Sequence, residues 1–170
     1  NVQQSATPSL SNIRIRNTSS TLRNNNKSGI ELKGNENAIL YDVRMENCQP
    51  GIKVENNETG VVVTPSLSNI RIRNTSSTLR NEDKCGIELK GYENAILNDI
   101  RIENCQPAIK VENTDVQQSA TPSLSNIRIR NTSSTLRNED KCGIELKGNE
   151  NAVLYDVRIE ECNKGIKIEN

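Results

Sequence analysis

The sequence has no histidine, tryptophan or phenylalanine, and it has only three tyrosines and one methionine in 170 residues. A chain of this length with so few bulky side chains is unlike an ordinary globular domain with a compact core. The lack of histidine also removes the commonest general base and a common metal ligand. No apolar run approaches the 18 residues of a membrane-spanning helix, so we predict no membrane span.

The charge balance excludes further classes of partner. Lysine and arginine number 22, aspartate and glutamate also number 22, and the formal net charge is zero. A protein that binds nucleic acid or an anionic membrane through its overall charge would carry a basic excess. We therefore predict no nucleic-acid partner.

What the sequence does contain is a tandem repeat. Thr7-Pro8-Ser9-Leu10 recurs at Thr64 and Thr121, which sets a period of 57 residues, and 41 of the 50 positions aligned between 64–113 and 121–170 are identical. A fixed period of this length is typical of solenoids and other repeat architectures. We predict one solenoid domain over residues 1–170, made of three repeats (1–57, 58–114 and 115–170) and forming a segment of a longer array.

Each repeat contains a weaker copy of itself. The segment 11–17 aligns with 41–47, so that Asn12 matches Asp42, and these anchor residues step alternately by 30 and 27 along the chain. The six anchors are Asn12, Asp42, Asn69, Asp99, Asn126 and Asp156. Behind each anchor lie short segments that alternate apolar and polar residues, bounded by glycine and asparagine, which is the pattern of half-buried strands. The sequence predicts an all-β parallel β-helix of six coils, with about three short strands per coil.

A leucine-rich repeat is the alternative fold, because Leu40-x-x-Val43-x-Met45-x-x-Cys48 fits the first nine positions of that pattern. The eleventh position should be leucine and is Pro50. The segment that should hold a helix is another strand that begins with glycine. The β-helix is therefore the better interpretation.

The pattern Gly-Ile-x-Val-x-Asn at 51–56 and the pattern Asn-Ile-x-Ile-x-Asn at 12–17 resemble the right-handed β-helix proteins of the pectate-lyase-like superfamily. The resemblance covers nearly the whole chain, and it implies the right-handed fold. It also implies a polysaccharide lyase activity that uses calcium bound to an acidic cluster and a basic catalytic residue.

The sequence departs from that activity. Asp42, Asp99 and Asp156 are separated by asparagines, which places their carboxylates about 9.6 Å apart, too far for one calcium ion. The acidic residues on the strand that follows each glycine alternate with lysine. No repeat differs from the others by an added catalytic group, although a reaction needs one constellation in one place. We predict no enzyme activity, no cofactor and no metal, and we interpret the three aspartates as turn residues.

Stacking the coils turns sequence positions into columns. On the strand that follows each glycine, the two outward columns alternate in sign from coil to coil and also within each coil. They are Glu31, Lys53, Glu88, Lys110, Glu145 and Lys167, and beside them Lys33, Glu55, Lys90, Glu112, Lys147 and Glu169. This checkerboard avoids like charges in register, and a slip by one coil would set them together. We interpret it as a device that fixes register, with a polar glycan-binding face as the alternative.

The strand that follows each anchor has a different outward pattern. One of its columns alternates arginine and glutamate (Arg16, Glu46, Arg73, Glu103, Arg130 and Glu160). The other is arginine in every coil: Arg14, Arg44, Arg71, Arg101, Arg128 and Arg158. Adjacent arginines repel by roughly 1 kcal/mol in water. Either the neighbouring glutamates and solvent ions neutralise this arginine column, or it is a linear binding strip for an acidic polysaccharide.

Five cysteines and the asparagines at strand ends complete the pattern. Cys48, Cys105 and Cys162 are equivalent and about 9.6 Å apart, which is beyond the reach of a disulfide. We expect all five to be reduced and mostly buried, with Cys85–Cys105 and Cys142–Cys162 disulfides as the alternative. Strand-end asparagines should take the left-handed conformation or form ladders along the stack. These are Asn17, Asn47, Asn74, Asn104 and Asn131.

Three functions remain at this stage. The first is a structural or adhesive repeat, extracellular or at the cell surface, that forms a stiff rod, stalk or filament segment and meets other copies of itself end to end. The second is a module that binds polyanionic polysaccharide through the arginine column. The third is a degenerate polysaccharide lyase.

Overall fold

The computed structural model of the chain describes residues 7–16, 29–34, 37–48, 50–56, 63–74, 86–91, 94–105, 107–113, 121–131, 142–148, 151–162 and 164–169. All twelve elements in these residues are strands. They are β1 (Ser9–Arg16), β2 (Ile30–Lys33), β3 (Ile39–Glu46), β4 (Ile52–Glu55), β5 (Ser66–Arg73), β6 (Ile87–Lys90), β7 (Ile96–Glu103), β8 (Ile109–Glu112), β9 (Ser123–Arg130), β10 (Cys142–Lys147), β11 (Val153–Glu160) and β12 (Lys164–Glu169).

The strands form two parallel six-stranded sheets. The first sheet has the order β1-β3-β5-β7-β9-β11, and the second has the order β2-β4-β6-β8-β10-β12. In the first sheet Ser9 pairs with Ile39, and Ile39 pairs with Ser66, so successive coils advance by 30 and then 27 residues. The predicted parallel β-helix with alternating coil lengths is confirmed. We call the coils that contain β1, β5 and β9 the A coils, and those that contain β3, β7 and β11 the B coils.

Every strand of the first sheet bends at its fourth residue. That residue is an asparagine or aspartate in the left-handed conformation, with φ between 50° at Asp156 and 56° at Asn12. Asparagine and aspartate tolerate this conformation better than other residues that carry a Cβ, which explains why the anchors are of these two types. Pairing continues on both sides of the bend. Within the described residues, each coil therefore contributes two strands, one of them bent, where the sequence suggested about three short ones.

The core is a stack of aliphatic rows. In the central coils the inward residues of both sheets are fully buried, as Leu97, Ile100 and Ile102 are in β7. Each buried isoleucine or leucine contributes about 1.5–3 kcal/mol. Because coils stack about 4.8 Å apart, identical or similar aliphatic side chains pack on one another, as Leu40 does on Leu67 and Val43 on Ile70, and the described core contains no aromatic residue.

Candidate binding surface

The structure places the six arginines of the predicted column on one line. Pairing sets Arg14 opposite Arg44, and the same register continues from coil to coil as far as Arg158. The column occupies the outward position two residues after the bend. Arg128 is partly buried and the other five side chains are exposed.

Corner aspartates and one glutamate neutralise part of this column. Arg44 Nε lies 3.8 Å from Asp42 Oδ1. Arg128 Nη2 lies 2.8 Å from Asp156 Oδ2, and its Nη1 donates to the Asp156 carbonyl oxygen at 2.8 Å. The hydrogen bond to Asp156 raises the pKa of Arg128, which keeps the guanidinium charged. Arg158 Nη2 lies 2.6 Å from Glu160 Oε1.

The other three arginines lack such partners. Among the residues that the structure describes, no carboxylate lies within 4.0 Å of Arg14, Arg71 or Arg101. Positive charge is therefore left uncompensated in the first, third and fourth of the six coils.

The neighbouring column of arginine and glutamate is neutralised internally. Each A-coil arginine contacts the glutamate of the next B coil, with distances of 2.9 Å for Arg16–Glu46, 3.1 Å for Arg73–Glu103 and 3.7 Å for Arg130–Glu160. The expectation that these glutamates compensate the arginine column holds for Arg158 alone. Corner aspartates have that role at Arg44 and Arg128, because the bend turns them toward the column.

A shallow depression lies between the two columns. It has a volume of about 280 Å³, and its polar rim consists of four arginines and two glutamates, which give it a formal charge of +2. Its lining residues are Arg101, Ile102, Glu103, Arg128, Ile129, Arg130, Arg158 and Glu160. Guanidinium groups hold carboxylates and sulfates in bidentate geometry. The depression suits one anionic group of an extended ligand.

The corner aspartates are also held by asparagines of the next coil. Asn69 Nδ2 donates to Asp42 Oδ1 at 3.2 Å, and Asn126 Nδ2 donates to Asp99 Oδ1 at 3.3 Å. Their place at the bend agrees with the interpretation as turn residues. Within the described residues, no three histidine, cysteine, aspartate or glutamate side chains come close enough to hold a metal ion together.

The second sheet carries the checkerboard as the sequence predicts. Lys53 pairs in register with Glu31 on one side and Glu88 on the other. Ion pairs also form within a strand, such as Lys110–Glu112 at 3.4 Å, and between coils, such as Lys147–Glu112 at 3.5 Å. Burial alone would raise the pKa of Glu112, but the charges and hydrogen bonds of Lys110 and Lys147 outweigh it and hold the pKa below its ordinary value.

The described thiols lie in an inward corner after the first sheet. Cys48, Cys105 and Cys162 are free, as expected. Asn74 Nδ2 donates to Cys105 Sγ at 3.1 Å, and Asn131 Nδ2 donates to Cys162 Sγ at 3.0 Å. Burial raises the pKa of Cys105 to about 12, although the hydrogen bond from Asn74 acts in the opposite direction.

The remaining cysteines cannot be placed in this way, since Cys85 and the side chain of Cys142 lie outside the described residues.

Strand-end asparagines divide into two kinds. Asn47 and Asn104 in the B coils are left-handed, with φ of 57° and 58°. Asn74 and Asn131 in the A coils are buried instead, and Asn131 Oδ1 accepts a hydrogen bond from the backbone N–H of Cys105 at 3.1 Å. The predicted ladder is therefore a mixed network of amides, thiols and backbone groups. Asn17 lies outside the described residues.

One surface was missed by sequence reasoning. The outward positions before the bend of each first-sheet strand carry no charged residue, and we call them the uncharged strip. They are Ser9, Ser11, Ile39, Tyr41, Ser66, Ser68, Ile96, Asn98, Ser123, Ser125, Val153 and Tyr155. The signal in the sequence was the alternation of Ser-Leu-Ser with Ile-Leu-Tyr. It could be interpreted only after the structure showed that the leucine points inward and the residues on both sides of it point outward.

Comparison with known proteins identifies the family. The profile described as "Right handed beta helix region" matches residues 2–170, so the chain belongs to this family and the predicted right-handed fold is confirmed. The leucine-rich repeat alternative falls with it. No curated protein and no solved structure matches the chain. The family contains enzymes and proteins that are not enzymes, so membership does not assign a function. Within the described residues, no helix is long and apolar enough to cross a membrane.

Proposed function

We propose that the chain is a structural rod segment, extracellular or at the cell surface, whose length is set by the number of repeats. The supporting observation is the unbroken register, in which every strand of each sheet pairs with the next in the same way through all six coils. No coil departs from the others within the described residues to build a single reaction centre. Balanced charge and near-identical repeats suit a spacer.

The alternation of the columns is also compatible with end-to-end stacking of copies. Wherever an A coil follows a B coil, a glutamate lies next to a lysine, as Glu88 lies next to Lys53. A second copy that stacks an A coil on a B coil would therefore continue the checkerboard.

The length of engineered arrays tests this function. Arrays of three, six and nine repeats should appear as rods in electron micrographs and in small-angle scattering. Each repeat should add two coils, or about 9.6 Å. A length that does not grow linearly with copy number, or particles that bend back on themselves, would remove the proposal.

A second candidate function is the binding of an acidic polysaccharide. The specific observation is that Arg71 and Arg101 are adjacent in register and have no carboxylate within 4.0 Å among the described residues. Arg101 also borders the positive depression. A polymer with one carboxylate or sulfate per sugar could follow the column along the rod.

Paired variants separate this candidate from the rod. Arg71→Gln with Arg101→Gln removes two uncompensated charges, whereas Arg16→Gln with Arg73→Gln removes two arginines already paired with glutamate. Binding of polygalacturonate at low salt should weaken severalfold more in the first variant, and it should fade for all proteins at high salt. Equal loss in both variants, or no salt-sensitive binding at all, would exclude a strip. A fall in polymer size during the incubation would instead favour the lyase alternative.

A further inference from the structure

The uncharged strip differs from every other outward face of the described coils. All twelve outward positions after the bend in the first sheet are arginine or glutamate, and all twelve in the second sheet are lysine or glutamate. The twelve positions of the strip have none. The described coils thus carry charged residues on two outward faces and none on the third. An uncharged face can be buried against another protein surface without removing charges from water.

The strip is also apolar where it stands out from the sheet. In the internal coils, Ile39 is 42% exposed, Tyr41 51% and Ile96 43%. Branched and aromatic side chains on a sheet are the residues that gain most from being covered. A monomeric spacer would be expected to carry polar residues there.

The relief of the strip repeats every second coil. Pairing sets Ile39 between Ser9 and Ser66, and it sets Ile96 between Ser66 and Ser123. B coils therefore form ridges and A coils form grooves, with a repeat of about 9.6 Å. The grooves are lined by short polar side chains that bond within the strip, as when Ser125 Oγ donates to Asn98 Oδ1 at 2.9 Å.

We infer that the uncharged strip pairs with the same strip of a second copy running in the opposite direction. A two-fold axis parallel to the strands can set each B coil of one copy against an A coil of the other. With all six coils overlapped, Ile39 meets Ser123 of the second copy and Tyr41 meets Ser125. Ridges then enter grooves along the whole contact, as in other isologous interfaces.

Period and charge favour this occupant over others. Ridges at a two-coil spacing match a partner that has the same spacing, and a second copy supplies it without any further requirement. Pairing through the arginine column would instead bring like charges together. The inference extends the proposed rod function, because it joins rods side by side.

Sedimentation equilibrium of the 170-residue chain tests the inference. The wild type should form dimers. Ile39→Lys with Ile96→Lys should raise the dissociation constant about tenfold or more, because lysines would be buried in the contact without partners. Glu46→Gln with Glu103→Gln changes the net charge by the same amount on the neighbouring face and should leave it unchanged. Circular dichroism should show the same fold for all three proteins.

A variant that fills the grooves distinguishes shape complementarity from general hydrophobic association. Ser66→Ile with Ser123→Ile makes the strip more apolar but removes two grooves, so dimers should weaken although hydrophobicity rises. A monomeric wild type, stronger association of the filled variant, or equal loss in the glutamine control would overturn the inference. Rod length in the array experiment does not depend on these outcomes, so failure of side-by-side pairing and failure of the rod are distinguishable.

Discussion

The two sheets share one register, but their outer surfaces are built on different rules. In the second sheet every outward residue is charged and each lies beside opposite charges, so the face neutralises itself. In the first sheet one column repeats arginine in all six coils, and only Arg44, Arg128 and Arg158 have a carboxylate close by among the described residues. The second surface specifies how coils stack, whereas the first leaves charge and apolar area unsatisfied.

The difference shows what a repeat with two coil types can encode. If all coils were identical, every column would bring like residues together, and every charged column would repel itself. Alternating A and B coils lets glutamate follow lysine. A column that keeps the same charge in both coil types, as the arginine column does, therefore retains a repulsion that the rest of the surface avoids.

The largest expected effect is at the buried corner that follows the first sheet. It tests whether hydrogen bonds in this corner, and not the surface charges, stabilise the sheet. Asn131→Ala removes the acceptor of the Cys105 backbone N–H and the donor to Cys162. Leaving that buried N–H unpaired should lower the free energy of unfolding by about 1–3 kcal/mol. Urea denaturation should show the same loss at low and high salt.

Thr7→Ala, at an exposed position outside the corner and the uncharged strip, is the control, and it should change stability by no more than about 0.5 kcal/mol. A salt-dependent loss in Asn131→Ala would show that the corner acts through the surface charges instead.

Reversing one charge should lower the free energy of unfolding in the second sheet and raise it in the first. Lys53→Glu places three glutamates in one column and should cost about 1–2 kcal/mol. Arg71→Glu sets a glutamate between Arg44 and Arg101 and should stabilise by up to about 1 kcal/mol. Urea denaturation at low salt measures both, and both effects should shrink in 1 M salt. Losses of equal sign and size would mean that the two surfaces do not differ as described.

A smaller effect concerns pH and the second sheet. The Glu112 pKa is lowered in the folded state, so its contribution to stability is present above the unfolded glutamate pKa and is lost as pH falls through the folded value. Glu112→Gln should remove this contribution, by less than about 1 kcal/mol, because the pair is partly solvated. Unfolding measured from pH 6 to pH 3 should give a shallower slope for the variant. An unchanged slope would place the acid sensitivity elsewhere.

The smallest expected effect is a chemical one at the inward corner. Cys105 is buried, and burial raises its pKa to about 12 although the hydrogen bond from Asn74 acts in the opposite direction. Iodoacetamide at pH 8 should therefore label Cys105 far more slowly in the folded protein than in urea, since the thiolate is the reactive form. Peptide mass spectrometry can follow this site, and equal rates in the folded and unfolded protein would contradict the description of the corner.

Much of this architecture can be predicted from the sequence, because in a parallel stack with fixed coil lengths the position of a residue in the repeat determines its column. The columns through Arg71 and Lys53 are where the 30- and 27-residue steps put them. The bend at Asn69 was not foreseen as the junction of two strand segments, since an asparagine between apolar residues is compatible with either a turn or a break.

The neutralisation of the arginines was harder to foresee. Sequence columns give the spacing along the stack but not the angle between neighbouring faces. The left-handed conformation of Asp42 and Asp156 turns their carboxylates toward the arginine column, and this depends on backbone geometry that column spacing does not contain. The uncharged strip was overlooked for the same reason, because Ser66 and Ile96 share an outward column only in the bent strand.

The alternation of two coil types also bears on how such a gene can change. Adding or losing one coil would place two A coils or two B coils side by side. Equivalent lysines such as Lys33 and Lys90 would then be neighbours, and the alternation of charge in the column would be lost. Adding or losing a whole 57-residue repeat preserves every neighbour relation. Unequal recombination between repeats should therefore be tolerated in whole units and selected against in halves. Natural variants of this protein are expected to differ in length by multiples of the full repeat, so that the stack grows or shrinks by two coils at a time.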